Sequence, residues 1–226
     1  YGKLINVTFT EVTDGSEGNI NFGTNVQSSS AGYAYYPNAV AKGKTYMFLA
    51  NNQASNNDAG MQDGGYGYLS VLHEIGHTLG LKHPGNYNAG GGGTPGPYLT
   101  AANDNKQMTI MSYNDNNYSR GVNPTTPMLF DVAALQTLYG VNGNSSTATN
   151  GVFAFDGTKN YLQTLWSTSG NDTIDLTGTT RGSAVNLNAG TYSNIDVKNT
   201  AGGTLYSGQR NVAIAFGAKI NNVTLS

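Results

Sequence analysis

All three histidines of this 226-residue chain fall in one stretch, HEIGHTLGLKHPG at positions 73–85, and Glu74 stands beside the first of them. Imidazole is a neutral nitrogen ligand for divalent metals, and residues four apart on a helix project from one face on adjacent turns. His73 and His77 can therefore grip one ion. In the HExxH arrangement Glu74 faces the open side of that ion, where a general base is useful and a permanent ligand is not. Gly80 ends the helix and, having no Cβ, tolerates the positive-φ turn that brings His83 back as a third ligand. Three neutral imidazoles leave the double charge uncompensated and a coordination position open, which is the catalytic rather than the structural zinc pattern. Such an ion lowers the pKa of bound water toward about 7 and polarises a carbonyl. These residues predict a zinc hydrolase with His73, His77 and His83 as metal ligands and Glu74 as base.

The helix carrying the pair is YLSVLHEIGHTLG, in which Leu69, Leu72 and Ile75 or Leu79 recur on one face and Gly80 supplies the stop. Ahead of it, runs at 5–12, 19–23, 31–37 and 45–50 read as short strands separated by Gly, Asn and Ser, with a polar loop over 51–67. Residues 84–109 form a Gly/Pro/Asn loop containing GGGG, a length usual for a functional or a mobile segment. A second helix is predicted over 127–140, capped by Thr126, opened by Pro127, apolar at Val132, Leu135 and Leu138, and stopped by Gly140. At 141 the character changes. VNGNSSTATNG reads as a linker or long turn, and VFAF, TIDL, SAVNL and NVAIAF after it read as β-runs. The expected organisation is an α+β domain over 1–140 and an all-β module over 141–226.

Composition narrows the rest. A net charge of -2 with 11% charged residues gives no basic stripe for nucleic acid and no polybasic helix for a membrane surface. No cysteine is present, so disulfides and thiolate metal sites are excluded. No apolar run is long enough for a membrane-spanning helix. The 31 glycines, with abundant Asn, Ser and Thr, favour turn-rich β-structure. YGKLINVTFTEV resembles no signal peptide and is expected to start inside a domain.

HEIGHTLGLKH resembles the HExxHxxGxxH signature of the metzincin zinc endopeptidases, and Pro84-Gly85 looks like the serralysin branch. MTIMSYND at 108–115 is similar to the serralysin turn that carries a methionine beneath the metal, here Met111. Tyr113 matches the tyrosine that is a further zinc ligand in serralysins and astacins, and FDVAALQTLYG looks like the helix closing the catalytic domain. The resemblance implies a twisted, mostly parallel sheet with an antiparallel edge strand, an active-site helix and a closing helix. A small β-sandwich or β-roll-like module follows. It implies a secreted, monomeric zinc endopeptidase acting on extended protein or peptide substrates, with a proteinaceous inhibitor as a further partner. AGYAYYP at 31–37 is the candidate substrate-pairing edge strand. Tyr113 is expected to bind zinc at rest and to hydrogen-bond the oxyanion during catalysis.

The resemblance has gaps. Family members carry a strand and a long helix before the first strands seen here, so the catalytic domain is expected to be N-terminally incomplete. The GGxGxDxUx calcium repeats are missing. SGNDTIDL and NVAIAFGAKINNVTL resemble the flanking segments, keeping Asp172 and Asp175 but carrying Ser167, Lys219 and Asn221 where acidic or hydroxyl ligands are expected. Calcium prefers six to eight oxygens with several carboxylates, so the sequence supports a Ca²⁺ site weakly and aspartates in β-turns equally well. Two rival readings are a β-rich adhesion module braced by structural zinc and a hydrolase of non-peptide amides. An intact Glu74 argues against the first and the methionine turn against the second.

Overall fold

A computed structural model describes residues 1–198 and 206–225. The first sheet has three strands in the order β1-β3-β2: β1 (Ile20–Asn25) parallel to β3 (Thr45–Ala50), and β2 (Gly32–Ala34) antiparallel on the other side of β3. The centre of β3, TYMFLA, is apolar and partners both neighbours, as a β-propensity run of this kind should. Gly23 in β1 leaves room for the Phe48 ring, which would lie 2.9 Å from an added Cβ. The expected mostly parallel sheet with an antiparallel edge is present. Its strands at 19–23 and 45–50 fall where the sequence puts them.

Two strand expectations before residue 141 fail in whole or in part. Residues 7–12 form no strand, because INVTFTEV finds no neighbour to pair with beyond a single bridge from Ile5 to Val141. Run 31–37 pairs regularly only at 32–34; beyond it the Tyr35 N–H reaches the Tyr46 carbonyl, the Ala31 carbonyl accepts the Ala50 N–H, and the Tyr35 carbonyl accepts the Thr45 hydroxyl.

Helix α1 (Tyr66–Thr78) packs under the sheet against β2 and β3, burying Leu69, His73, Gly76 and His77 on one side. It ends as a glycine stop should. Gly80 has φ +93°, its N–H reaches the His77 carbonyl and the Leu81 N–H reaches back to the Gly76 carbonyl at 2.9 Å. Buried Leu79 and Leu81 seal that end.

Helix α2 (Leu129–Tyr139) stops at Gly140, φ +77°. Its start differs from expectation. The Thr126 hydroxyl accepts the Thr164 N–H instead of capping, and the Asp131 carboxylate, three residues in, reaches back to the Met128 N–H at 2.8 Å. Val132 and Leu135 are buried as predicted, but Leu138 is 58% exposed, one turn past the edge of the core.

Beyond 141 the strands are short and mostly parallel. One sheet is β4 (Val152–Asp156), β6 (Thr173–Gly178) and β9 (Asn222–Thr224). The other is β5 (Gln163–Leu165) with β8 (Val212–Ile214), flanked antiparallel by β7 (Tyr192–Ser193). SAVNL is not a strand; only Ala184 bridges, to Asn194. Residues 141–151 are no free linker either. Ser145, Ser146 and Thr147 bond to Thr168, Asp172 and Trp166. One hydrophobic core runs from Leu4 and Ile5 through α1 and α2 to Trp166, Ile195 and Ile214.

Candidate metal centre

Each of the three histidines is aimed by a different backbone carbonyl. The Nδ1 of His73 lies 2.8 Å from the Ile110 oxygen, that of His77 2.8 Å from the Leu81 oxygen, and that of His83 2.8 Å from the Tyr87 oxygen. A carbonyl only accepts, so each Nδ1 carries the proton and each Nε2 presents a lone pair. Those lone pairs converge. The Nε2 atoms of His73 and His83 are 3.0 Å apart and those of His77 and His83 3.1 Å. With no proton between them such contacts are repulsive, and a cation in their midst reverses the sign. Tetrahedral zinc with arms of about 2.0–2.1 Å sets ligand nitrogens about 3.3 Å apart, close to what is found. Burial lowers all three imidazoles below the ordinary histidine range, His77 to about 4, so they are neutral, ligand-ready bases at neutral pH. The residues present therefore fit a metal ion. Among the described residues no other group of three His, Cys, Asp or Glu side chains converges in this way.

The three carbonyls come from three separate segments. Leu81 belongs to the glycine stop of α1. Tyr87 opens the 84–109 loop, its ring stacked on His83 and its hydroxyl donated to Asp104 at 2.6 Å. Ile110 belongs to the turn before Met111, whose sulfur packs directly beneath α1: a Cβ on Gly76 would meet it at 2.8 Å. Met111 thus sits where the methionine-turn resemblance implies, buried below the histidines.

Glu74 is 6% exposed, its Oε2 is buried without a hydrogen-bond partner among the described residues, and burial lifts its carboxyl to about 8. β2 crosses close above it, Gly32 leaving only 3.0 Å between an added Cβ and the glutamate Cγ. The outer edge of β2 is unpaired in its sheet. A cleft runs between that edge and α1, lined by Ala31, Gly32, Tyr66, His73, Glu74 and Tyr113 among others. Tyr113 is 46% exposed, with its ring 4.7 Å from that of His83 and 5.8 Å from that of His73, and its hydroxyl pushed up to about 12 by burial and the nearby Glu74. All five residues singled out in the sequence are brought together.

Sequence reasoning missed two neighbours. Tyr36 lies edge-on to His77 at 5.5 Å. Asp131 anchors the methionine turn from α2. The first is one of 15 tyrosines and carries no distinguishing signal. The second reads in sequence as an ordinary first-turn acid. The aspartates weighed for calcium are not gathered into a site. Asp172 accepts from the Ser146 hydroxyl, and Asp175 accepts from the Thr177 N–H at 2.9 Å.

Comparison with known proteins agrees with this geometry. Residues 5–123 match the family model of metallo-peptidase family M12, and residues 130–225 match that of the peptidase M10 serralysin C terminal. The chain is 34% identical to the metallopeptidase AprA of Pseudomonas marginalis, over 98% of its own length and 49% of the relative's. It is 34% identical to a serralysin of Photorhabdus luminescens, over 98% of this chain and 47% of that one. Serralysin C of Dickeya chrysanthemi is 35% identical, with 98% and 48% covered. The chain spans about half the length of the curated relatives it matches.

Proposed function

The chain belongs to the serralysin-like metallopeptidases, and from that premise we propose that it is a zinc-dependent endopeptidase cleaving extended protein or peptide substrates. One observation carries the reading: three neutral Nε2 atoms converge beside an unpartnered carboxylate oxygen of Glu74, under the free edge of β2. His73, His77 and His83 would hold zinc. When bound, the ion supplies a Lewis acid for the scissile carbonyl and an acidified water.

The chain's own residues do the rest. β2 offers backbone donors and acceptors to an extended substrate, fixing its direction and its depth over Glu74. Glu74 takes a proton from the attacking water as the new C–O bond forms. It then delivers that proton to the amine nitrogen as the C–N bond breaks. Burial raises its carboxyl in the metal-free chain, and the charge of a bound zinc ion would favour the ionised form that takes the proton. Tyr113 is assigned as a further ligand at rest and a hydrogen-bond donor to the developing oxyanion; its ring packing on His83 supports this. The catalytic work is assigned to residues 1–140 and a supporting role to the module over 141–226. Action outside the cell, as a monomer, and sensitivity to a protein inhibitor belong to the same reading. Calcium gets no role here: Asp172 is satisfied by a serine hydroxyl, and Asp175 is bonded to its own turn. An adhesion module with structural zinc has no use for an unpaired buried carboxylate at the site.

The test is casein hydrolysis by the purified chain, with chelator, with zinc restored, and beside Glu74→Ala. We expect chelator-sensitive cleavage that zinc restores. The variant should bind zinc yet fall on the order of 10²–10⁴-fold in rate. Undiminished cleavage by Glu74→Ala refutes the base assignment. Tyr113→Phe should lower kcat by about tenfold or more while KM changes little; unchanged turnover and zinc affinity remove the tyrosine from the site.

A further inference from the structure

The buried groups around Asp131 form a chain of hydrogen bonds that ends on a metal ligand. Asp131 Oδ1 accepts the Thr109 hydroxyl at 2.5 Å, and the Thr109 oxygen in turn accepts the Met111 N–H at 3.0 Å. That N–H belongs to the same peptide unit as the Ile110 carbonyl, which accepts the His73 Nδ1–H at 2.8 Å. The other carboxylate oxygen, Oδ2, takes the N–H groups of Ile110 and Met128, each at 2.8 Å. Asp131, Thr109, Ile110, Met111 and Met128 are all buried, so water neither screens the charge nor competes for these bonds.

We propose that Asp131 is a positioning residue for the metal centre, acting on His73 through the Thr109 hydroxyl and the Ile110–Met111 peptide. This rests on the reading of His73 as a metal ligand. The directions of the bonds agree with the idea. Two of the partners of Asp131 are backbone N–H groups, which only donate, and Thr109 already accepts from Met111, so its own proton goes to Asp131. A carboxylate satisfies all of these donors; a neutral acid does not. Bonds in series polarise one another in a low-dielectric interior. The carboxylate makes the threonine oxygen a better acceptor, which makes the peptide carbonyl more negative, which strengthens its hold on the His73 Nδ1–H and raises the donor strength of Nε2. The effect is that of a carboxylate–histidine pair with a peptide inserted between its members.

His73 is singled out in this. The peptide whose carbonyl orients His83 sends its N–H, that of Asn88, to the Gly91 carbonyl instead. Asp131 also caps α2 and anchors the turn through the Met128 and Ile110 N–H groups, so the test reads the metal site and not stability alone.

The experiment is zinc affinity, by competition with a chromophoric chelator, for wild type, Thr109→Val, Thr109→Ser and Asp131→Asn, with the absorption bands of the Co²⁺-loaded forms recorded alongside. Asn keeps the shape and can still accept both N–H groups. Valine removes only the hydroxyl, and serine restores it. We expect zinc Kd to rise about tenfold in Thr109→Val and Asp131→Asn, and Thr109→Ser to stay within about twofold of wild type. The cobalt bands should shift in the two weakened variants. Thr109→Val binding zinc as tightly as wild type, with unshifted bands, overturns the proposal. If either variant fails to fold, the wild-type protein decides: the Met111 amide proton resonance should move on zinc loading, and a stationary resonance overturns the relay. A wild-type chain that takes up no zinc at all is a different failure, that of the metal reading beneath it.

Discussion

Burial of His77 as a neutral ring, at about 4 against an ordinary value of 6.5, ties the stability of the metal-free protein to pH. The sign follows from proton counting. Between those two values the unfolded chain binds a proton that the folded chain refuses, so the stability present above pH 6.5 is lost as pH falls toward 4. His73 and His83 shift the same way. We expect the melting temperature of the chelator-treated protein to drop across that window, with a loss on the order of 3 kcal/mol from His77 alone. A flat profile from 6.5 to 4 contradicts neutral burial. At this scale the sequence was highly legible, because rare residue types at fixed spacing carry the ligand set. The carbonyl partners were not, since a backbone oxygen has no letter of its own. Nor was Asp131, whose role depends on a turn some twenty residues upstream.

At the scale of elements the decisive contact is between α1 and the methionine turn. Gly76 lies between the two helical ligands, and Met111 sulfur fills the space its missing Cβ leaves. Gly76→Ala drives that methyl into a buried sulfur with little room to retreat. Overpacking of this kind costs about 1–3 kcal/mol. Thermal unfolding should show that loss, and the turn carrying Ile110 should be displaced enough to weaken zinc binding. Unchanged stability and affinity would mean that the turn gives way freely. Both helices were readable from glycine stops and apolar spacing. Their N-termini were not: Asp131 won over Thr126 because a charged acceptor three residues into the helix reaches the orphan Met128 N–H, while Thr126 is held by Thr164. Strands failed where pairing failed. An alternating run such as 5–12 is a strand only when a neighbour exists, and the sequence does not say whether one does.

At the scale of the molecule, the change of character near residue 141 does not divide the core. The Thr125 N–H reaches the Leu162 carbonyl, the Tyr192 hydroxyl reaches the Gln107 carbonyl at 2.6 Å, and the Gln107 side chain reaches the Arg210 carbonyl. The later strands thus buttress the very segment that carries Met108 to Met111. Trp166, fully buried among them, should matter to the distant histidines. Trp166→Ala is expected to cost about 3–5 kcal/mol and to lower the temperatures of secondary-structure loss and zinc release together, in one transition. Two separated transitions, with zinc release unshifted, would show that the halves melt independently.

The three carbonyls that orient the histidines reach beyond chemistry into the lifetime of the protein. One sits at a helix end, one at the mouth of the long glycine-rich loop, and one in the methionine turn. Loss of an ion held there would leave three lone pairs crowded at 3.0–3.1 Å and put that repulsion on all three segments at once. On the proposed endopeptidase reading, metal-loaded copies in a mixed population would cut the empty ones, so scarcity of zinc would thin their numbers as well as silence them, and the surviving pool would remain almost wholly loaded.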